Sequence, residues 1–367
     1  MAVENCSHDE EAGLLTGKIS SCSKSKCWFQ ILLASVSVVL VISVISWYPS
    51  FGGRFIQSTN KKGSIIISKS LDNNPLHFAV VGDWGRKGAY NQSWVAAQMD
   101  KIGQGQKFSF LISAGDNFYE NGLSGIEDPL FEESFSNVYT GENLQKPWFA
   151  VLGNHDYHGD VLAQLDSALV LRDSRWHCGR EYQLLHQLES SAHGGSYVEF
   201  FFIDTVPFVD EYWQTYHKPM DWRGLLPREE HLVQKLQVLS KALESSVATW
   251  KIVVGHHPIY SEGSHGDTVE LIERLLPILN TQKADLYVNG HDHCLEHIKR
   301  EDSSINFITS GGGSKAWKGM KPTPNKNGVK LYYDGQGFTT FTVTSTHLHI
   351  SYFDVYGSVI HEVDLYK

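Results

Sequence analysis

The chain has 367 residues, enough for one large α/β core, and no second folded domain is expected. Asp and Glu number 41 against 31 Lys and Arg, a formal net charge of -10, and no basic run lies among the motifs described below, which excludes nucleic acid as the expected partner. The 10 Trp and 16 Tyr make the chain aromatic-rich, but aromatic rings mostly fill cores and pocket walls, so composition assigns none of them to a substrate.

In chain order, residues 1–27 form a short polar tail. No charged residue occurs from Cys27 through Gly53, and Ile31 to Trp47 is almost wholly apolar, long enough with its flanks to cross a bilayer. The apolar stretch starts late for a signal peptide, exceeds the usual apolar region of one, and ends in Trp47-Tyr48-Pro49 without a small-residue cleavage site. An uncleaved signal anchor over residues 28–48 is therefore expected ahead of a cleaved leader, which would make the protein secreted. Lys18, Lys24 and Lys26 on one side balance Arg54, Lys61 and Lys62 on the other, so flanking charge leaves the orientation open. Residues 49–75, polar and containing Gly, Ser and Asn, read as a flexible tether to a domain over residues 76–367.

Five β-branched or aromatic runs then read as buried strands: Phe78 to Val81, Phe110 to Ala114, Phe149 to Leu152, Ile252 to Val254 and Leu286 to Asn289. Each leads into a glycine and a polar side chain. The segments are Gly82-Asp83-Trp84-Gly85, Gly115-Asp116-Asn117-Phe118-Tyr119, Gly153-Asn154-His155-Asp156, Gly255-His256-His257 and Gly290-His291-Asp292-His293, with His265-Gly266 as a sixth. Ligands of open α/β sheets bind outside the carboxyl ends of the strands, and glycine lets the chain turn so that the next side chain points there. The segments therefore aim at one place. Pro227 to Ser246 carries Leu232, Leu236, Leu239 and Leu243 at helical spacing, and Thr268 to Leu279 reads as a second helix. Phe338 to Val343, Leu348 to Phe353 and Val359 to Val363 read as antiparallel strands closing a second sheet. The expected fold is α/β, with two mixed β-sheets packed face to face and helices outside. Trp317 to Asn327 is a lid or a plain loop. Cys178 and Cys294 form one disulfide or remain two buried thiols, and neither belongs to the site.

Donor chemistry divides the segments. Asp83, Asp116, Tyr119 and His293 offer mostly anionic oxygen, which suits Fe(III). Asn154, His256 and His291 offer neutral nitrogen and amide oxygen, which suits a divalent Fe, Zn or Mn, although donor type alone does not choose which of His291 and His293 serves which ion. Asp116 is expected to bridge the two ions, which would clamp a phosphoryl group and lower the pKa of a bound water. Two carboxylates and a phenolate set against a trivalent and a divalent ion leave about two positive charges for a phosphate dianion. His155 and His265 need no metal and suit proton donation to a phosphoryl oxygen or a departing alkoxide. His257 and His158 are read as residues that orient the ligands.

This order of motifs resembles that of the purple acid phosphatases, and most closely their small single-domain plant branch. The resemblance runs from about Leu76 to the C-terminus, and it includes Tyr119, three residues after Asp116, the position of the family's ferric tyrosinate. It implies a layered metallophosphoesterase fold with Asp83, Asp116, Tyr119 and His293 on Fe(III). Asp116, Asn154, His256 and His291 would take the divalent ion, and His155 and His265 the substrate. The implied activity is acid hydrolysis of phosphomonoesters to inorganic phosphate by attack of a metal-bound hydroxide. Its rivals are a phosphodiesterase or nucleotide hydrolase and an iron-dependent redox protein that makes reactive oxygen species. The sequon Asn91-Gln92-Ser93, with the family's usual compartments, favours a lumenal, vacuolar or extracellular C-terminal domain, a type II single-pass topology and a cytoplasmic tail.

Overall fold

The computed structural model describes residues 56–58, 65–69, 75–189, 195–214, 218–225, 227–319 and 326–367. The expected span at residues 28–48 lies outside the described residues; among those described, no helix is long and apolar enough to cross a membrane.

Two mixed sheets form the frame. The seven-stranded sheet contains β3 (Leu76–Val81), β4 (Phe110–Ser113), β5 (Trp148–Ala150), β6 (Trp176–Cys178), β14 (Gly337–Val343), β15 (His347–Asp354) and β16 (Val359–Tyr366), in the order β16-β15-β14-β3-β4-β5-β6. The nine-stranded sheet contains β1 (Ile56–Ser58), β2 (Ile65–Lys69), β7 (Glu181–Glu189), β8 (Ser196–Ile203), β9 (Trp250–Val254), β10 (Leu286–Asn289), β11 (Leu295–Ile298), β12 (Asn306–Ser310) and β13 (Val329–Tyr333). Its order is β1-β2-β7-β8-β9-β10-β12-β11-β13. In each sheet the central strands, β3-β4-β5 and β8-β9-β10, run parallel.

Strands so apolar need cover on both faces. Between the sheets, Phe78, Val80, Phe110 and Ile112 meet Phe200, Ile252, Val254 and Val288 in one core cluster, and the Phe200 ring stands edge-on to those of Phe78 and Phe110. Outside the seven-stranded sheet, Val95 and Met99 of α1 (Gln92–Gln106) pack with Leu111, Trp84 and Trp148. Other helices cover the far side of the nine-stranded sheet. There Leu232, Leu239 and Leu243 on α3 (Arg228–Ser245) pack against Phe201, Val253 and Tyr287. A short α2 (Ser167–Arg172) lies before β6.

Three expectations change. The stretch expected as a tether contains two strands: the β-branched run at Ile65–Lys69 pairs in parallel with β7, and Ile56–Ser58 pairs with it antiparallel. The three C-terminal strands do not form a sheet apart from the glycine-terminated runs. They extend the edge of β3, with Thr340 opposite Ala79, while the five runs themselves divide between the sheets, because strand periodicity carries no information about which neighbour a strand pairs with. The helix expected over Thr268 to Leu279 is two, α4 (Val269–Arg274) and α5 (Leu276–Thr281), since Pro277 has no amide hydrogen to continue the first. Of the two alternatives for Cys178 and Cys294, the structure has free thiols, Cys294 buried and Cys178 partly so.

Candidate metal centre

Loops from both sheets meet at the carboxyl ends of β3, β4, β5, β9 and β10. Asp83, Asp116 and His291, each just after a glycine, have left-handed backbones with φ of 62°, 49° and 70°, and such single αL residues turn a chain sharply out of a strand. Two glycines are required by close approach. A Cβ on Gly115 would lie 2.5 Å from the His256 ring, and one on Gly290 would collide with the Asp83 carboxylate. The loops of the two sheets thus interlock.

The side chains converge in two groups. The Tyr119 hydroxyl lies 3.1 Å from Asp83 Oδ1, 2.9 Å from Asp116 Oδ2 and 3.1 Å from His293 Nε2. His256 Nε2 lies 3.2 Å from Asn154 Oδ1, 3.3 Å from His291 Nδ1 and 3.5 Å from the other Asp116 oxygen, Oδ1. Asp116 therefore offers one oxygen to each group. The imidazoles are oriented from behind: His256 Nδ1–H donates to the Ala114 carbonyl at 2.8 Å and His293 Nδ1–H to that of Lys315 at 2.5 Å, which turns both Nε2 atoms inward. Backbone amides hold the acids, His291 N donating to Asp83 Oδ2 at 2.9 Å and His155 N to Asp116 Oδ1 at 2.8 Å.

Asp83, Asp116, Tyr119, His256, His291 and His293 are almost fully buried, and without a cation their electrostatics conflict. Burial, with Asp116 adding to it, pushes Asp83 well above the ordinary carboxylate range. Burial opposes ionisation of Asp116 too, but His256 and His155 outweigh it and hold that carboxyl low. Burial and the two carboxylates raise the Tyr119 phenol far up. His291 is driven well below its ordinary value by burial and by neighbouring imidazoles, and His293 to about 3 chiefly by burial, so both are neutral and free to coordinate. His256 is instead lifted to about 9 by Asp116 against its own burial. Crowded acids beside inward lone pairs are a donor set that fits metal cations.

A cavity of about 290 Å³ opens onto the centre, lined by Asp116, Asn154, His155, Glu211, Tyr212, His265, His291, His293 and Trp317. His155 donates through Nδ1 to the Glu120 carbonyl at 2.7 Å. The loop bearing His265 is fastened by Asp292, whose carboxylate accepts from the His265 amide at 3.0 Å and from Ser261 Oγ at 2.5 Å, and the His265 ring stacks on His291 with centroids 4.2 Å apart. All nine candidate residues from the sequence thus lie together. His257 belongs behind them: its Nδ1 meets Thr205 Oγ1 and its Nε2 the Tyr212 hydroxyl, each at 3.0 Å. His158 lies further out, its Nδ1 3.0 Å from the Pro219 carbonyl.

Several residues were missed. Trp317, in the stretch expected as a lid or loop, stacks on His293 at 4.0 Å and 9°, and the Arg86 guanidinium lies 3.6 Å over the Tyr119 ring. Arg86 directly follows the first motif, which was its only signal. Asp156 and Asp292 stand inside quoted motifs without an assigned task; Asp156 accepts from the amides of Gly153, Asn117 and Phe118 and so ties two loops together. No sequence signal marked Glu211 or Tyr212.

Paired mixed sheets with acids and imidazoles converging at strand ends define the class of metallophosphoesterases, and the calcineurin-like phosphoesterase family matches residues 76–295. Purple acid phosphatase 3 of Arabidopsis thaliana is 51% identical over 302 residues, which cover 81% of this chain and 79% of that protein. Purple acid phosphatase 17 of the same plant is 49% identical, over 84% of this chain and 89% of its own. Human tartrate-resistant acid phosphatase type 5 is 28% identical over 79% of this chain and 90% of its own. Among solved structures, the purple acid phosphatase PPD1 from yellow lupin seeds has the same fold, with a TM-score of 0.57 at 14% identity, covering 83% of this chain and 56% of that one. The chain belongs to the purple acid phosphatases. It is an acid phosphatase, a metal-dependent phosphoester hydrolase whose family implies a binuclear metal centre.

Proposed function

We propose that the centre holds Fe(III) on Asp83, Asp116, Tyr119 and His293 and a divalent Fe, Zn or Mn on Asp116, Asn154, His256 and His291, and that it hydrolyses phosphomonoesters. The observation that carries this reading is the Asp116 carboxylate, with Oδ2 2.9 Å from the Tyr119 hydroxyl and Oδ1 3.5 Å from His256 Nε2. When bound, the ions supply Lewis acidity and an activated water. The chain does the rest. His155, with Nδ1 on the Glu120 carbonyl, presents Nε2 toward the cavity, and Asp292 sets His265 beside it, so two imidazoles can donate to phosphoryl oxygens or protonate the leaving alkoxide. Trp317 and Tyr212 wall the cavity and limit water around the reacting group.

The apolar span at residues 28–48 supports a single-pass anchor, and the sequon Asn91-Gln92-Ser93 with the family's usual compartments supports a catalytic domain in a lumenal, vacuolar or extracellular space. Asn91 and Ser93 of the sequon are exposed, as a glycan there requires. The deciding experiment is the visible absorption spectrum of the purified protein, with metal content measured on the same sample and Tyr119→Phe as control. A purple or pink band that the variant lacks is the expected result. A colourless, active wild-type protein would overturn the ferric half of the proposal.

A further inference from the structure

We propose a second metal site, remote from the catalytic centre, in which His347, His349 and Asp364 bind one divalent ion of borderline softness such as Zn(II). Strand geometry creates it. His347 and His349 are two apart on β15 and so project from the same face, and Asp364 on β16 lies directly opposite His349. That face is the outer one of the seven-stranded sheet, where the row continues through Thr342 on β14 to His77 on β3. His77 is six residues before Asp83, so along β3 the cluster lies about 20 Å from the catalytic acids.

The donor atoms already converge. His347 Nε2 and His349 Nδ1 lie 2.6 and 2.8 Å from one and the same oxygen, Asp364 Oδ1. Bonds of about 2.0–2.1 Å to a tetrahedral ion would place donors about 3.3 Å apart, so the three groups need to part by only about half an ångström. Side chains a third exposed can do this: His347, His349 and Asp364 have side-chain exposures of 34%, 28% and 46%. The cluster is also braced. The remaining nitrogen of His349, Nε2, faces Glu362 Oε1 at 3.3 Å and Ser351 Oγ at 3.0 Å, the carboxylate–histidine arrangement that fixes the tautomer of a metal-ligating imidazole. The Tyr366 ring stacks on His347 at 4.8 Å and 16°, which holds that ring in place. Two imidazoles and one carboxylate suit Zn(II) over Mg(II) or Ca(II), with solvent completing the coordination.

Equilibrium dialysis of the full chain against micromolar Zn(II), followed by metal analysis, tests the proposal on the wild type and on His347→Ala/His349→Ala. The difference between the two proteins counts this site alone, whatever the catalytic centre takes up. The wild type should hold one Zn(II) more, with phosphatase activity equal in both, and Glu362→Gln should weaken that binding by about tenfold. Equal Zn(II) in the two proteins would show that the cluster is only a set of histidine–carboxylate pairs and would overturn the site. Should the double variant fold poorly, Asp364→Asn serves instead, and its retention of the extra ion would overturn the proposal equally.

Discussion

The two sheets bring different chemistry to the centre. The seven-stranded sheet delivers Asp83, Asp116, Tyr119 and Asn154 from the ends of β3, β4 and β5, whereas the nine-stranded sheet delivers His256, His291 and His293 from β9 and β10. Each is unsatisfactory alone, since one stacks buried carboxyls whose charges repel and the other crowds imidazoles, of which burial keeps His291 and His293 neutral. Their interlocking makes a site for cations. The comparison teaches that charge balance here is achieved between sheets and not within either, so the centre depends on how the two pack.

The harshest way to break this relation is Asp116→Ala, which removes the one side chain addressed to both groups. Turnover should fall at least about a thousandfold, as the loss of several kcal/mol of transition-state stabilisation implies, in a protein with an unchanged melting profile. A folded variant with wild-type turnover would refute the two-group centre.

A second test examines the support under the histidine loops. Glu296 on β11 is fully buried, with Oε1 accepting from the Glu262 amide, and burial, reinforced by Asp292, raises its carboxyl to about 8. Because the folded value lies above the unfolded one of about 4.3, the folded protein keeps the group neutral and the unfolded chain ionises first. Stability from this group is complete below about pH 4 and is lost as pH rises toward 8. Denaturant melts at pH 5 and pH 8 should therefore show the wild type losing a few kcal/mol that Glu296→Gln retains. Parallel losses in both would mean that Glu296 is already ionised.

Smaller effects should separate orientation from bonding. His257→Ala removes the bridge between Thr205 and Tyr212 beside His256 and should lower divalent-metal affinity or turnover 10- to 100-fold, as loss of groups that orient ligands generally does. Trp317→Ala removes the ring stacked on His293 and one cavity wall; KM should rise by less than about tenfold with kcat nearly kept, since one aromatic contact contributes about 0.5–1.5 kcal/mol. If kcat fell in the same proportion, Trp317 would be acting on the reaction itself.

Much of this was legible in the sequence, for reasons that can be named. The apolar runs ending in glycine announced β3, β4, β5, β9 and β10, because burial on both faces and a sharp exit are local demands on composition. Tyr119 could be singled out because it stands three residues from Asp116, within the same loop. Ile65–Lys69 was lost among polar neighbours, and its parallel pairing with β7 is more than a hundred residues distant. Trp317 was unreadable, because nothing near it in the chain indicates that it would lie on His293.

What the sequence by itself determined is the donor inventory, its order, and the turn that follows each strand, since strand propensity, glycine turns and ligand chemistry depend on residue type and near neighbours. Tertiary structure alone decided which sheet each strand joined, that Asp116 turns one oxygen to Tyr119 and the other toward His256, and that Arg86 covers Tyr119 while Trp317 covers His293. Those relations arise from packing the Phe78 and Phe110 face of one sheet against Phe200 of the other, and such packing is a property of surfaces that the chain assembles from residues far apart.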